Sequence, residues 1–71
     1  METTLDNPDE IGRLVRSRRH ELNLTQGEVA AVARTGVRFI SELESGKRSV
    51  QLDTLLKVLD ALGLTLVAKS R

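Results

Sequence analysis

The stretch LTQGEVAAVARTGVRFISELE, residues 24–44, carries the strongest structural signal in this sequence. Its first half predicts a short helix that begins after Thr25, because the threonine hydroxyl and the Glu28 carboxylate have the spacing of a capping box. Residues 34–36 (Arg-Thr-Gly) then interrupt the helical pattern. We expect Gly36 to supply the backbone freedom that a tight corner requires at this point.

The second half of the stretch predicts another short helix, over about residues 37–45, with one apolar and one polar face. Ile40 and Leu43 recur at helical spacing on the apolar face. The opposite face carries Val37, Arg38, Ser41 and Glu42. Two short helices joined by a tight turn, the second with an exposed face, are typical of proteins that present a helix to the major groove of DNA.

A further helix is predicted before this pair, over about residues 8–22. Asn7 can cap it, and Pro8 fits its first turn because that position needs no N–H donor. Its apolar stripe is interrupted by Arg18 and Arg19. An arginine beside a core needs a partner, since burying an unpaired charge is costly.

The last predicted helix covers residues 52–62 and ends at Gly63. Residues 64–68 (LTLVA) alternate and include β-branched side chains, which favours a short strand. No other segment looks like a strand partner, and a lone strand leaves its backbone N–H and C=O groups unpaired. Pairing with another chain would satisfy them. A frayed apolar tail or one more helical turn is the alternative.

Length and composition indicate one small soluble domain. The chain has 71 residues, of which 39% are hydrophobic and 30% charged, an ordinary balance for a globular protein. The net charge of +1 is not the strongly basic balance of a non-specific nucleic-acid binder. No apolar run reaches membrane-spanning length and the first ten residues are acidic, so we expect a cytoplasmic protein.

The residues that would carry catalysis or bind a metal are missing from the sequence. There is no cysteine and His20 is the only histidine, which excludes a disulfide framework and a thiolate site and leaves other metal sites without support. Ser41 has no base nearby that would make it a nucleophile. We therefore expect no enzyme activity and no cofactor.

Three segments, LTQGEVA, GVRFISELESGKRSV and LDTLLKVLDALGL, resemble the Cro/C1-type (XRE) family of helix-turn-helix proteins over about residues 11–63. The resemblance implies an all-α, lambda-repressor-like bundle of four to five short helices. Residues 1–7 would be a flexible N-terminus, 8–63 the DNA-binding domain, and 64–71 a dimerisation strand and tail.

Within that family, the strand-like ending LGLTLVA makes the chain look most like HipB-type antitoxins. That likeness implies a homodimer whose C-terminal strands pair across the two-fold axis. It also implies a double-stranded DNA operator in the protein's own promoter and a HipA-like kinase toxin as partner. The alternatives are a stand-alone or phage-type regulator of the same family, and a protein-interaction module that has lost DNA binding.

The family motif assigns roles to individual residues of this chain. The expected phosphate-binding residues are Thr25, Gln26, Lys47 and Arg48. The expected base-reading residues are Gly36, Val37, Arg38, Ser41 and Glu42. Arg38 would fork onto a guanine or hold a phosphate, Val37 would contact a thymine methyl, and Glu42 would accept from a cytosine amine.

The remaining assignments are structural. Arg19 and Glu44 occupy the family's positions for a mostly buried ion pair, which would supply the partner that the interrupted first helix needs. Phe39, the only aromatic residue, is expected in the core. The residues expected at the dimer interface are Val58, Leu62, Leu64, Leu66 and Val67. The chain departs from the family at Arg34 and Thr35, where glycine and then an aliphatic residue are common, and at Gly36, where a polar cap is usual.

Overall fold

A computed structural model describes residues 2–71 and contains four α-helices within that range. They are α1 (Pro8–Glu21), α2 (Gln26–Ala33), α3 (Val37–Glu44) and α4 (Leu52–Ala61). The all-α helix-turn-helix fold that the sequence predicts is confirmed, and each helix bound lies within a residue of the predicted one. Among the described residues, no helix is long and apolar enough to cross a membrane.

Capping side chains fix where α1 and α2 begin. The Asn7 side-chain oxygen accepts a hydrogen bond from the backbone N–H of Glu10 at 2.9 Å. Both halves of the second cap are present: Thr25 Oγ1 accepts from the N–H of Glu28 at 3.0 Å, and Glu28 Oε1 accepts from the N–H of Thr25 at 2.9 Å. These bonds satisfy N–H groups that a helix leaves unpaired in its first turn.

The corner between α2 and α3 turns at a different residue from the one expected. Arg34 has φ 57° and ψ 48°, a left-handed conformation, whereas Gly36 has φ −86° and ψ 155°, which any residue adopts. The prediction that Gly36 supplies the backbone freedom is therefore wrong. The N–H of Thr35 bonds to the carbonyl of Ala30 at 2.9 Å, so the left-handed residue closes the end of α2.

The core lies between the four helices: α1 packs against α3, and α2 packs against both α3 and α4. Its fully buried members are Val15, Val29, Ile40, Val58 and Leu62. Phe39 is partly buried and packs against this cluster. Gly12 is also buried, and a Cβ atom there would lie 2.5 Å from the Leu43 carbonyl oxygen, so α1 passes the end of α3 at backbone contact.

Two of the residues expected at a dimer interface are unavailable to a partner. Val58 and Leu62 are each 0% exposed within the single chain. Their assignment to an outer dimer surface is wrong, because the core is wide enough to enclose both. The apolar side chains that α4 leaves exposed are instead Leu52 and Leu56.

The two chain ends lie outside the helices. The expected flexible N-terminus begins at Met1, which falls outside the described residues, and residues 2–6 have no regular secondary structure. Residues 64–71 likewise form no strand in the single chain. Leu64 packs against the core, while Leu66 and Val67 are exposed. The C-terminal strand stays a prediction, since a strand needs a partner that one chain does not provide.

Candidate nucleic-acid interface

A buried ion pair connects α1 to the end of α3. Arg19 Nε lies 2.7 Å from Glu44 Oε2, and Arg19 Nη2 donates to Glu44 Oε1 at 2.9 Å, so the contact is bidentate. Arg19 Nη1 also donates to the carbonyl of Leu24 at 2.9 Å. The two side chains are only 12% and 5% exposed. The arginine that interrupts the apolar stripe of α1 is thus fully partnered.

The surroundings of this pair favour the charged form of both groups. Burial by itself would raise the pKa of Glu44, but hydrogen bonds from Arg19 and Gln26, together with the positive charges of Arg19 and Arg16, hold that pKa below its usual value. The hydrogen bond to Glu44 raises the pKa of Arg19, although burial opposes the change. Each of these hydrogen bonds stabilises an ionised group.

Gln26 brings the start of α2 into the same network. Its side-chain amide donates to Glu44 Oε1 at 3.2 Å. The expected phosphate-binding amide is therefore oriented by a buried carboxylate, and one amide hydrogen remains for another acceptor. The first turn of α2 also has free backbone N–H groups and the positive end of the helix dipole, which favour an anion.

The outer face of α3 presents most of the expected base-reading residues to solvent. The Arg38 side chain is 90% exposed and Val37 is half-exposed. Ser41 and Gly36 are exposed as well, and a Cβ added to Gly36 would meet no atom within 4 Å. Another molecule could therefore approach the backbone closely at the start of α3.

Glu42 differs from the other expected base-reading residues because its carboxylate already contacts two cations. Its Oε1 lies 3.7 Å from Nε of Arg38, and its Oε2 accepts a hydrogen bond from Nζ of Lys47 at 3.2 Å. The carboxylate is thus not the free acceptor that the sequence interpretation required. It sits instead between two of the cations assigned to DNA contacts.

The loop after α3 places the expected phosphate-binding cations beside the recognition face. The N–H of Lys47 bonds to the carbonyl of Glu42 at 3.1 Å, which ties the loop to the helix. The bond is possible because Gly46 adopts φ 85°, the left-handed conformation expected of a helix-ending glycine. Lys47 and Arg48 are both exposed.

Two residues that no sequence pattern singles out hold these elements in place. Gly12 permits the close approach of α1 to α3, and Arg18 Nε donates to the carbonyl of Leu62 at 2.9 Å, which joins α1 to the end of α4. In the sequence, Arg18 is only an interruption of the apolar stripe of α1. Its position beside Arg19 gave no indication that the two arginines turn toward different helices.

The exposed helix, the corner before it and the cap at the start of α2 define a helix-turn-helix DNA-binding protein. Residues 15–68 match the helix-turn-helix family model HTH_3, and the chain belongs to this family, of the Cro/C1 (XRE) type. A curated relative is the uncharacterised HTH-type transcriptional regulator y4mF of Sinorhizobium fredii (strain NBRC 101917 / NGR234). It is 46% identical over 66 residues, which cover 93% of this chain and 87% of the relative. The chain is a helix-turn-helix transcriptional regulator.

Solved structures of similar proteins agree on the fold. A chain in the HipA-HipB-O2-O3 complex matches with a TM-score of 0.89 at 22% identity and covers 97% of both chains. The HipB-O4 20mer complex contains a chain that matches with a TM-score of 0.88 at 22% identity, again with 97% coverage of both. The clp gene regulator ClgR from C. glutamicum is 31% identical, with a TM-score of 0.73 over 87% of this chain and 80% of that one.

Proposed function

We propose that this chain is a homodimeric transcriptional repressor that binds a palindromic operator and serves as the antitoxin of a HipA-like kinase. The observation that carries the DNA-binding part is the outer face of α3, where Val37, Arg38 and Ser41 are exposed next to Lys47. Such a face suits the major groove, which is wide enough for one helix.

The proposal divides the contacts into two kinds. Val37, Arg38 and Ser41 read base edges, with Arg38 forked onto a guanine and Val37 against a thymine methyl. Gln26 and Lys47, with Thr25 and Arg48 beside them, hold phosphates, and such contacts set register without carrying sequence information. The orientation of the Gln26 amide by Glu44, at 3.2 Å, supports its role because an ordered donor loses less entropy on binding.

A dimer is proposed because the recognition helix α3 is short. One recognition helix spans a few base pairs, whereas two related by a two-fold axis read half-sites roughly 34 Å apart, one turn of DNA. The exposed tail residues Leu66 and Val67 supply apolar side chains and unpaired backbone for a shared strand. In the dimer, these residues and Leu64 pair with their counterparts in the second chain.

The antitoxin role rests on the likeness to HipB, which was solved in a complex that contains HipA. It is tested separately from DNA binding. The chain is co-expressed with any kinase-like protein encoded by a neighbouring gene, and the two are co-purified. A stable complex that suppresses the kinase's toxicity supports the role, and a kinase that neither binds nor is suppressed contradicts it.

A regulator without a toxin is the second candidate. The similarity to ClgR, named as a clp gene regulator, favours it at 31% identity, which is above the 22% shared with the HipB chains. Such a regulator would bind its operator equally well with no kinase encoded nearby. Genomic context therefore separates this candidate from the antitoxin, while the operator test below applies to both.

The operator test selects duplexes from a random-sequence library with the full-length protein. We expect an inverted repeat whose half-site centres are about 10 base pairs apart, and an affinity that falls steeply with salt because phosphate contacts release counterions. Arg38→Ala should weaken binding and relax the preference at one base pair. Arg13→Ala removes an exposed arginine from α1 and serves as the matched control. Failure to select any duplex would contradict DNA reading and favour an interaction module.

A further inference from the structure

Glu42 lies one helical turn after Arg38 and is held between two cations. Oε1 faces Nε of Arg38 at 3.7 Å, and Oε2 accepts from Nζ of Lys47 at 3.2 Å. Each carboxylate oxygen therefore serves a different cation. Both cations are among those assigned to DNA contacts, one to a base and one to the backbone.

The atom of Arg38 that Glu42 contacts matters for what the arginine can bind. Glu42 faces Nε, so the two terminal nitrogens of the guanidinium can still form the paired hydrogen bonds that arginine makes with O6 and N7 of guanine. The same carboxylate offsets the positive charge of the group, which weakens its attraction to a phosphate. Arg38 is thereby biased toward a base edge.

Lys47 is affected differently. An ammonium group recognises phosphate mainly as a point charge, so a carboxylate at 3.2 Å competes directly with the DNA backbone for it. The side chain of Glu42 is 35% exposed and that of Lys47 is 49% exposed. Solvent reaches this contact, so the ammonium can exchange from Glu42 to a phosphate when α3 enters the groove.

We propose that Glu42 is a positioning residue that sets sequence specificity, by directing Arg38 to a guanine and by withholding Lys47 from phosphates on non-cognate DNA. Non-specific binding depends on contacts between cations and phosphates. Its affinity is therefore lowered most when Glu42 holds Lys47 and Arg38. Binding to cognate DNA also gains base contacts, which offset the cost of moving the Lys47 ammonium from Glu42 to a phosphate. The inference rests on the proposed function, that α3 reads DNA, and replaces the cytosine contact expected for Glu42.

The test compares Glu42→Gln with wild type on two probes, the selected duplex and a scrambled duplex of the same base composition. Fluorescence anisotropy across a range of salt concentrations gives the affinities. We expect Glu42→Gln to tighten binding to the scrambled duplex, to lower the cognate-to-scrambled ratio roughly tenfold, and to steepen the salt slope on scrambled DNA by about 1 to 2. Glu42→Ala should act in the same direction.

Two controls separate this role from a general charge effect. Glu21→Gln removes the same charge from a carboxylate that pairs with Arg18 on α1 at 3.6 Å, and should leave the ratio unchanged. In an Arg38→Ala/Lys47→Ala background, Glu42→Gln should have little further effect, because the residues through which Glu42 acts are gone. Thermal unfolding by circular dichroism checks that each variant is folded.

The outcomes distinguish this inference from the proposed function. If wild type binds its selected duplex but Glu42→Gln behaves like Glu21→Gln, the role of Glu42 is overturned while DNA reading stands. An undiminished effect of Glu42→Gln in the Arg38→Ala/Lys47→Ala background would also overturn it, since that result means direct repulsion of phosphates. A wild-type chain that selects no duplex overturns the proposed function itself.

Discussion

The contact between Arg19 and Glu44 is a buried, bidentate ion pair that joins α1 to the end of α3. Removing one member of a buried pair leaves the other charge without a partner, and Glu44→Ala should reduce the free energy of unfolding by about 3 kcal/mol. Urea unfolding followed by circular dichroism measures the change. Glu21→Ala, which breaks the exposed pair with Arg18, should change it by less than about 1 kcal/mol. An equal effect of the two substitutions would contradict the buried role.

The same carboxylate makes stability depend on pH. The pKa of Glu44 is lowered in the folded chain, so its contribution is fully present above the unfolded value of about 4.3. It is lost as the pH falls below that value and through the folded pKa, because in this range the unfolded state binds the proton while the ion pair still keeps Glu44 ionised in the native state. The free energy of unfolding, measured from neutral to acidic pH, should decrease as the pH falls from the unfolded pKa of Glu44 to the folded one. Glu44→Gln, which cannot ionise, should flatten the profile there.

Arg34 shows what residue-level reading of the sequence could not supply. Both caps and the ion pair were predictable, since each depends on residue types at a fixed spacing or at a family position. The left-handed residue was not, because glycine is the usual choice and Gly36 stood two positions away. Only the path of the backbone reveals that the turn is made at Arg34, with φ 57°.

This conformation leads to a prediction about stability. Arg34→Gly should raise the free energy of unfolding by about 0.5–1 kcal/mol, because glycine adopts the left-handed region without a steric penalty. Arg34→Ala keeps the strained backbone and removes the same side chain, so it should bring no such gain. Thermal unfolding of the two variants makes the comparison. A gain of equal size in both would attribute the effect to the arginine side chain instead.

At the scale of the helix, capping residues and apolar spacing predicted all four elements, but not how closely they approach one another. Gly12 gave no signal in the sequence, because only the path of α3 past α1 makes it necessary. An isolated glycine inside a helix ordinarily weakens it relative to alanine. Here the carbonyl oxygens of Leu43 and Glu44 fill the space that a side chain would need.

Two alanine substitutions with opposite expected signs test that approach. Gly12→Ala should lower the free energy of unfolding by about 1–3 kcal/mol, because its Cβ would meet backbone atoms that cannot move without displacing α3. Gly27→Ala on α2 meets its nearest neighbours only at 3.8 Å or beyond, and should be neutral or stabilising by up to about 1 kcal/mol. Chemical denaturation measures both. A stabilising Gly12→Ala would contradict the close packing.

At the scale of the whole molecule, the sequence predicted which residues are apolar but not which of them the core would enclose. A leucine-rich stripe on α4 is compatible with a narrow or a wide core. Val58 and Leu62 were expected at the outer surface, but both lie in the core. Burial depends on how the helices pack together, with α2 against α4 and α1 against α3, which helical spacing does not encode. The tail differs, since its alternating pattern predicts a strand but residues 64–71 form none in the single chain.

Shortened chains test whether the tail joins two copies. A chain that ends at Leu64 keeps the residue that packs against the core and loses the rest of the predicted strand, so it should sediment as a folded monomer at micromolar concentration. It should also bind the selected duplex far more weakly, because two linked half-sites give higher affinity than one. A chain that ends at Ala68 keeps the whole predicted strand and loses the exposed pair between Lys69 and Glu2, which contributes little, so it should remain dimeric. A chain ending at Leu64 that stays dimeric and binds normally would place the interface elsewhere, with the exposed Leu52 and Leu56 of α4 the next surface to substitute.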